Sequence, residues 1–162
     1  MKRHTSLIPL SRDHHDGLVV AQELILGRSK APRSTWPTDR RAQVDRVLEF
    51  FATALGKHFE AEEAHVFPVV VDRILHGAEL VDELRADHAA MRARIRALER
   101  DPVSDLDARL PAFGERLRAH IRKEEEILFE RMQDELPPDV LDAIGTALEA
   151  ASPRSAEPTC RI

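Results

Sequence analysis

Two stripes of apolar residues at helical spacing govern what this chain can become. One runs through Val44, Val47, Phe51, Leu55, Phe59 and Val66, the other through Leu106, Leu110, Phe113, Leu117, Ile121 and Leu128. Residues recurring at intervals of three and four lie on one face of a helix. A helix that is apolar on one face only must bury that face against partners of its own kind. No convincing alternating pattern of the kind a half-buried strand needs competes with this reading.

The remaining segments fit around the two stripes. Helix A is expected from Ser11, read as its N-cap, through "RDHHDGLVVAQELILG" to Gly27. Helix B starts at Thr38 or Asp39, is kinked or interrupted by Pro68, and continues to Leu75, where Gly77 punctuates. Helix C carries Leu80, Leu84, Met91, Ile95 and Leu98; helix D carries the second stripe and ends at "ELPPD". A short fifth helix, "DVLDAIGTALEAA", is expected to pack against the outside of the bundle, and Trp36 is expected to cover a bundle end. The expected fold is therefore all-α: an antiparallel up-down-up-down four-helix bundle with a short fifth C-terminal helix. Residues 1–151 form the domain, and 152–162 are expected to be a disordered tail.

Polar residues interrupt the stripes. Phe51 and Leu55 lead on to His58, Glu62 and His65; Phe113 and Leu117 lead to His120 and Glu124; Leu84 leads to His88. A histidine and the glutamate four residues later share a helix face, so His58 with Glu62 and His120 with Glu124 form chelating pairs. Burying carboxylates and imidazoles costs several kcal/mol per group unless something compensates. A metal ion compensates several at once, and it takes neutral imidazoles and ionised carboxylates as ligands.

The pattern is written twice. "HFEAEEAHVF" and "HIRKEEEILF" both begin with histidine, place a glutamate pair four and five residues on, and close with Phe. "DHHDGL" on helix A and "DHAAMR" on helix C both put Asp before His, as Asp13-His14 and Asp87-His88. Two hairpins related by a pseudo-two-fold follow, each giving two histidines and one glutamate. Counted from the loops at about 1.5 Å per residue, the polar groups reach a common level to within roughly 3–9 Å. Asp13 and Asp87 are candidates to orient ligand histidines. Glu63 and Glu126 read as a solvated face, while Glu125 is either part of it or a secondary candidate ligand.

At these residues the chain resembles the hemerythrin-like family, helical bundles also called HHE cation-binding domains. The matching motifs are "RDHH", "HFEAEEAHVFP", "DHAAMR" and "HIRKEEEILF", and the resemblance covers about residues 5–135. Myohemerythrin, a relative, is a four-helix bundle. The resemblance implies a non-haem centre of two iron ions, oxo- or hydroxo-bridged, with His14, His58, Glu62, His88, His120 and Glu124 as ligands and the two glutamates as bridges. It also implies an open position for O2 or another small ligand. Oxygen-carrying members have a second helix-C histidine where this chain has Arg92, and an aspartate five residues after the last histidine, where this chain has Glu125. Either His65, seven residues after His58, or His15, beside His14, is available as a fifth imidazole. Which of His14 and His15 faces inward is open at this level.

Three functions follow from the resemblance and the pattern together. The first is binding or sensing of a small diatomic ligand, O2 or NO. The second is an enzyme acting on peroxide or nitric oxide at the same site. The third is an iron-storage, iron-sensing or mononuclear metal-binding protein. Composition narrows the field further. A net charge of −5 gives no support to nucleic-acid or anionic-membrane binding. No window approaches the length of a membrane span. The "LIPL" run near the start is too short for a signal peptide. The single cysteine, Cys160, allows no intrachain disulfide, and a cytoplasmic setting is expected.

Overall fold

The computed structural model describes residues 2–151; the expected disordered tail lies outside the described residues. These residues contain five helices and no strand. A short 3-10 turn, Thr5–Leu7, runs into α1 (Ile8–Leu26). Helix α2 spans 40–73 as three α-helical segments, Arg40–Phe50, Gly56–Ala61 and Phe67–Arg73, joined by wide π turns at Phe51–Leu55 and Glu62–Val66. Helix α3 is Gly77–Arg100. Helix α4 spans 106–135, with Leu106–Lys123 and Phe129–Glu135 joined by a π turn at Glu124–Leu128. Helix α5 is Pro138–Ala151.

Local chemistry fixes these boundaries. Asp39 caps α2, its carboxylate accepting from the Ala42 amide at 2.8 Å. Gly27 ends α1 with φ 69°, a left-handed geometry that a side chain would strain. Buried Gln43 donates to the Gly27 and Pro37 carbonyls at 2.8 Å, and Arg40 donates to Leu24 O at 2.9 Å. The last carbonyls of α1 are thus satisfied by the start of α2.

Two expectations need correction. Ser11 does not cap α1, because the chain is already helical from Thr5. Gly77 does not separate helices; it opens α3, after a turn in which His76 takes φ 55°. Helix α5 packs against the outside of the bundle by one face, burying Leu141, Ile144 and Leu148 while Asp142, Thr146 and Glu149 stay exposed. Pro68 is absorbed as well. The wide turn sends the Phe67 amide to Glu62 O, and helical geometry resumes with Pro68 near the segment's start, where a missing N–H costs least.

The core is two apolar clusters with a polar layer between them. One contains Leu7, Leu10, Val66, Val70, Leu84 and Met132, and includes α5. The other contains Leu24, Val47, Phe59, Ile95, Phe113 and Leu117, with Trp36 packed against it. Each fully buried side chain of this size contributes roughly 1.5–3 kcal/mol. Along the chain, α1 and α3 pass from the first cluster to the second, and α2 and α4 pass back. Helix α1 lies close along α4: a Cβ on Gly114 would sit 2.6 Å from Ala21 O, so only glycine permits this approach. No helix among the described residues is long and apolar enough to cross a membrane.

Candidate metal centre

The polar layer is built by one turn from each of the first four helices. His14 comes from α1, His58 and Glu62 from α2, His88 from α3, and His120 and Glu124 from α4. All six are buried, with both glutamates 0% exposed and His58 the most exposed at 7%. The imidazoles meet in pairs. His14 Nε2 lies 3.0 Å from His58 Nε2, and His88 Nε2 lies 3.0 Å from His120 Nε2. The glutamates lie against both pairs. Glu62 approaches His58 at 3.2 Å and His88 at 3.5 Å, while Glu124 approaches His14 at 3.2 Å and His120 at 3.3 Å.

Neither glutamate is satisfied by the protein. Both oxygens of Glu62 and both of Glu124 are buried without a hydrogen-bond partner. The imidazole nitrogens are near but not aligned to donate. Buried carboxylates left in this condition are costly and uncommon. A cation is the partner whose chemistry fits. His14, His58, Glu62 and Glu124 converge within 4.8 Å of one another, and so do Glu62, His88, His120 and Glu124. The two groups share both carboxylates, and their donors suit metal binding.

An outer ring orients the imidazoles, and it repeats across the two halves. Each inward-facing Nε2 leaves Nδ1 pointing outward. His14 Nδ1 donates to Glu125 at 2.7 Å, and His88 Nδ1 donates to Glu63 at 2.8 Å. His58 Nδ1 lies 3.2 Å from Asp13. His120 Nδ1 lies 3.7 Å from Asp87, an ion-pair distance rather than a hydrogen bond. Arginines hold the two glutamates in turn. Arg92 grips Glu63 with both ends of its fork, at 2.7 and 3.2 Å. Arg3 binds Glu125 at 2.7 Å and also the Glu125 carbonyl at 3.1 Å. That carbonyl is free because the wide turn sends the Phe129 amide to Glu124 O instead. Phe129 stacks on His14 at 5.3 Å, while Phe59 at 3.8 Å and Phe67 at 5.5 Å stack on His88.

Charge follows geometry. Burial pulls the His14 imidazole down, but Glu124, Glu125 and Glu62 outweigh it and push it up from 6.5 to about 11. Burial likewise opposes, and Glu62 and Asp13 overcome it, in raising His58 to about 9. Burial works to raise Glu62, yet His58, His14 and His88 hold it well below the usual carboxylate range. The nearby His120 is the main influence that lowers Asp87 to about 2.

The alternatives left open by the sequence resolve as follows. His14 faces inward, and His15 is exposed. His65 stands outside the layer, in a surface groove with Lys57 and Glu60. A regular helix would carry the seventh residue after His58 back to the same face. The wide turn starting at Glu62 holds more than 3.6 residues, so His65 lags behind that face. Glu125 joins neither four-residue group and serves His14 from outside. Glu63 and Glu125 are thus not a plain solvated face. Their signal was their place directly after Glu62 and Glu124 in the repeat.

A buried layer of four imidazoles and two shared carboxylates in a helical protein fits a metal-binding protein. The family model of the Hemerythrin HHE cation binding domain matches residues 7–132, and the chain belongs to that family. No curated protein and no solved structure matches it.

Proposed function

We propose that this chain is a non-haem di-iron protein that binds or senses a small diatomic ligand, O2 or NO, within an up-down-up-down four-helix bundle closed at one end by α5. The observation that carries this reading is the sharing of Glu62 and Glu124 between two four-residue groups, each completed by an imidazole pair. A mononuclear site has no use for the second pair. Imidazole and carboxylate together suit iron among the common ions. Four histidines to two carboxylates leave the metal less electron-rich than a carboxylate-dominated site, which favours reversible binding over oxidative attack.

When bound, iron supplies a centre that accepts a diatomic ligand and can change its redox state. The protein's own part is to hold and shield it. Glu125, Glu63 and Asp13 fix which imidazole nitrogen faces inward. Phe59, Phe67 and Phe129 wall the layer against water. Anaerobic purification followed by metal analysis and an absorption spectrum in air tests the reading. Two irons per chain with charge-transfer bands that respond to O2 or NO are expected. A colourless iron-loaded protein, or one zinc per chain, would refute it.

A further inference from the structure

The two halves of the layer repeat closely in their donors but not in their access. A cavity of about 430 Å³ opens beside the wide turn Phe51–Leu55 and reaches the layer from one side. Its floor is His14, His58, His120 and Glu124. His88 does not line it; that imidazole is 0% exposed and covered by Phe59 and Phe67. The cavity therefore reaches both imidazoles of the first pair but only His120 of the second.

The cavity is far larger than a diatomic ligand needs. A water molecule claims about 30 Å³, and cavities of roughly 300–1,000 Å³ hold organic molecules. Its walls are apolar, from Leu10, Phe50, Leu55, Ile121 and Leu148. The charged residues around it are mixed: Arg12 and Lys57 stand beside Asp13, Asp16 and Glu149, so the pull on an anion comes from the floor rather than the mouth. At the floor, two divalent ions would outweigh the two shared carboxylates, leaving net positive charge facing the cavity. Two imidazoles and two carboxylates also leave the near ion short of an octahedral complement. An apolar shaft ending on an under-coordinated cation selects a molecule with a hydrophobic body and a single anionic head.

We propose that the cavity is a binding site for a small hydrophobic carboxylate whose head group binds the ion held by His14 and His58. This rests on the di-iron reading given above and names a second ligand class for the same centre. It also assigns α5 a role, since Leu148 forms part of the wall.

Octanoate is the probe, titrated calorimetrically into the full metal-loaded chain, with azide titrated in parallel by its absorption change. Octanoate is expected to bind in the millimolar range or tighter, and to lose at least about tenfold in affinity after chelation of the metal. Ala54→Phe projects a ring from the exposed wide turn into the shaft. It is expected to weaken octanoate about tenfold or more while metal content and azide binding stay unchanged. Metal and azide binding without octanoate binding would overturn this proposal and leave the di-iron reading intact. Octanoate affinity unaffected by chelation or by Ala54→Phe would also overturn it. A chain that takes up no metal would overturn both.

Discussion

Replacing Glu63 by Gln should weaken one ion and spare the other. Glu63 holds His88 Nδ1 at 2.8 Å, and Arg92 holds Glu63 at 2.7 and 3.2 Å. The amide keeps the shape but removes the charge that makes the imidazole a stronger donor to metal. Loss of such an outer partner typically costs 10–100-fold in metal affinity, which is about 1.4–2.7 kcal/mol. The Glu63 side chain is 25% exposed, so water can replace part of the lost contact and the lower half of that range applies. His88 belongs to only one of the two four-residue groups, so the ion between His14 and His58 should hold its affinity. Titration with a competing chelator, monitored by metal release, reads both. The wild type should release its two ions together, and Glu63→Gln should release one at roughly tenfold lower chelator. Arg92→Gln should produce the same split more weakly. Equal weakening of both ions, or an unchanged curve, would refute the assignment of Glu63 to His88 as a positioning contact.

Other consequences are open to simple measurement. His65→Ala and His15→Ala should leave metal content unchanged by mass spectrometry, whereas His14→Ala should lose at least one ion per chain, because only His14 enters the layer. In chelator-treated protein, His14 and His58 hold protons up to about 11 and 9, so loading at neutral pH must expel them. Calorimetry in buffers of different ionisation enthalpy should show net proton release on metal binding, and affinity should rise with pH toward 9. The same raised values mean that these histidines stabilise the metal-free fold fully below 6.5, and that this contribution is lost as pH climbs through 9 and 11. Its melting temperature should therefore fall on the alkaline side. Gly114→Ala forces a methyl against Ala21 O and should cost about 1–3 kcal/mol, a drop of roughly 2–10 °C in melting temperature.

Much of this arrangement was legible in the sequence because two periodic signals overlapped. The stripes named the buried faces, and His58, Glu62, His88, His120 and Glu124, standing in line with them, point inward as that spacing implies. Asp39 was readable as a cap because its chemistry is local. What escaped depends on backbone geometry that spacing does not reveal. The wide turns at Glu62 and Glu124 rotate every later residue, which removes His65 from the face that counting by 3.6 assigns it. The Arg3–Glu125 and Arg92–Glu63 contacts join residues 122 and 29 positions apart, so no local pattern announces them. The apolar stripe of α5 announces that it packs on the bundle, but not the surface it meets, formed by Leu7, Val70 and Met132 from three separate helical regions. His14 and His15 are neighbours with opposite fates: His14 lies on the buried stripe of Leu10, Gly17, Ala21 and Leu24, and His15 lies one position round from it.

Anomalous X-ray scattering at the iron edge from crystals of anaerobically loaded protein tests the central claim most directly. Two peaks are expected, one between the His14 and His58 imidazoles and one between those of His88 and His120, with Glu62 and Glu124 reaching both. A single peak, or peaks away from the two glutamates, would contradict the account.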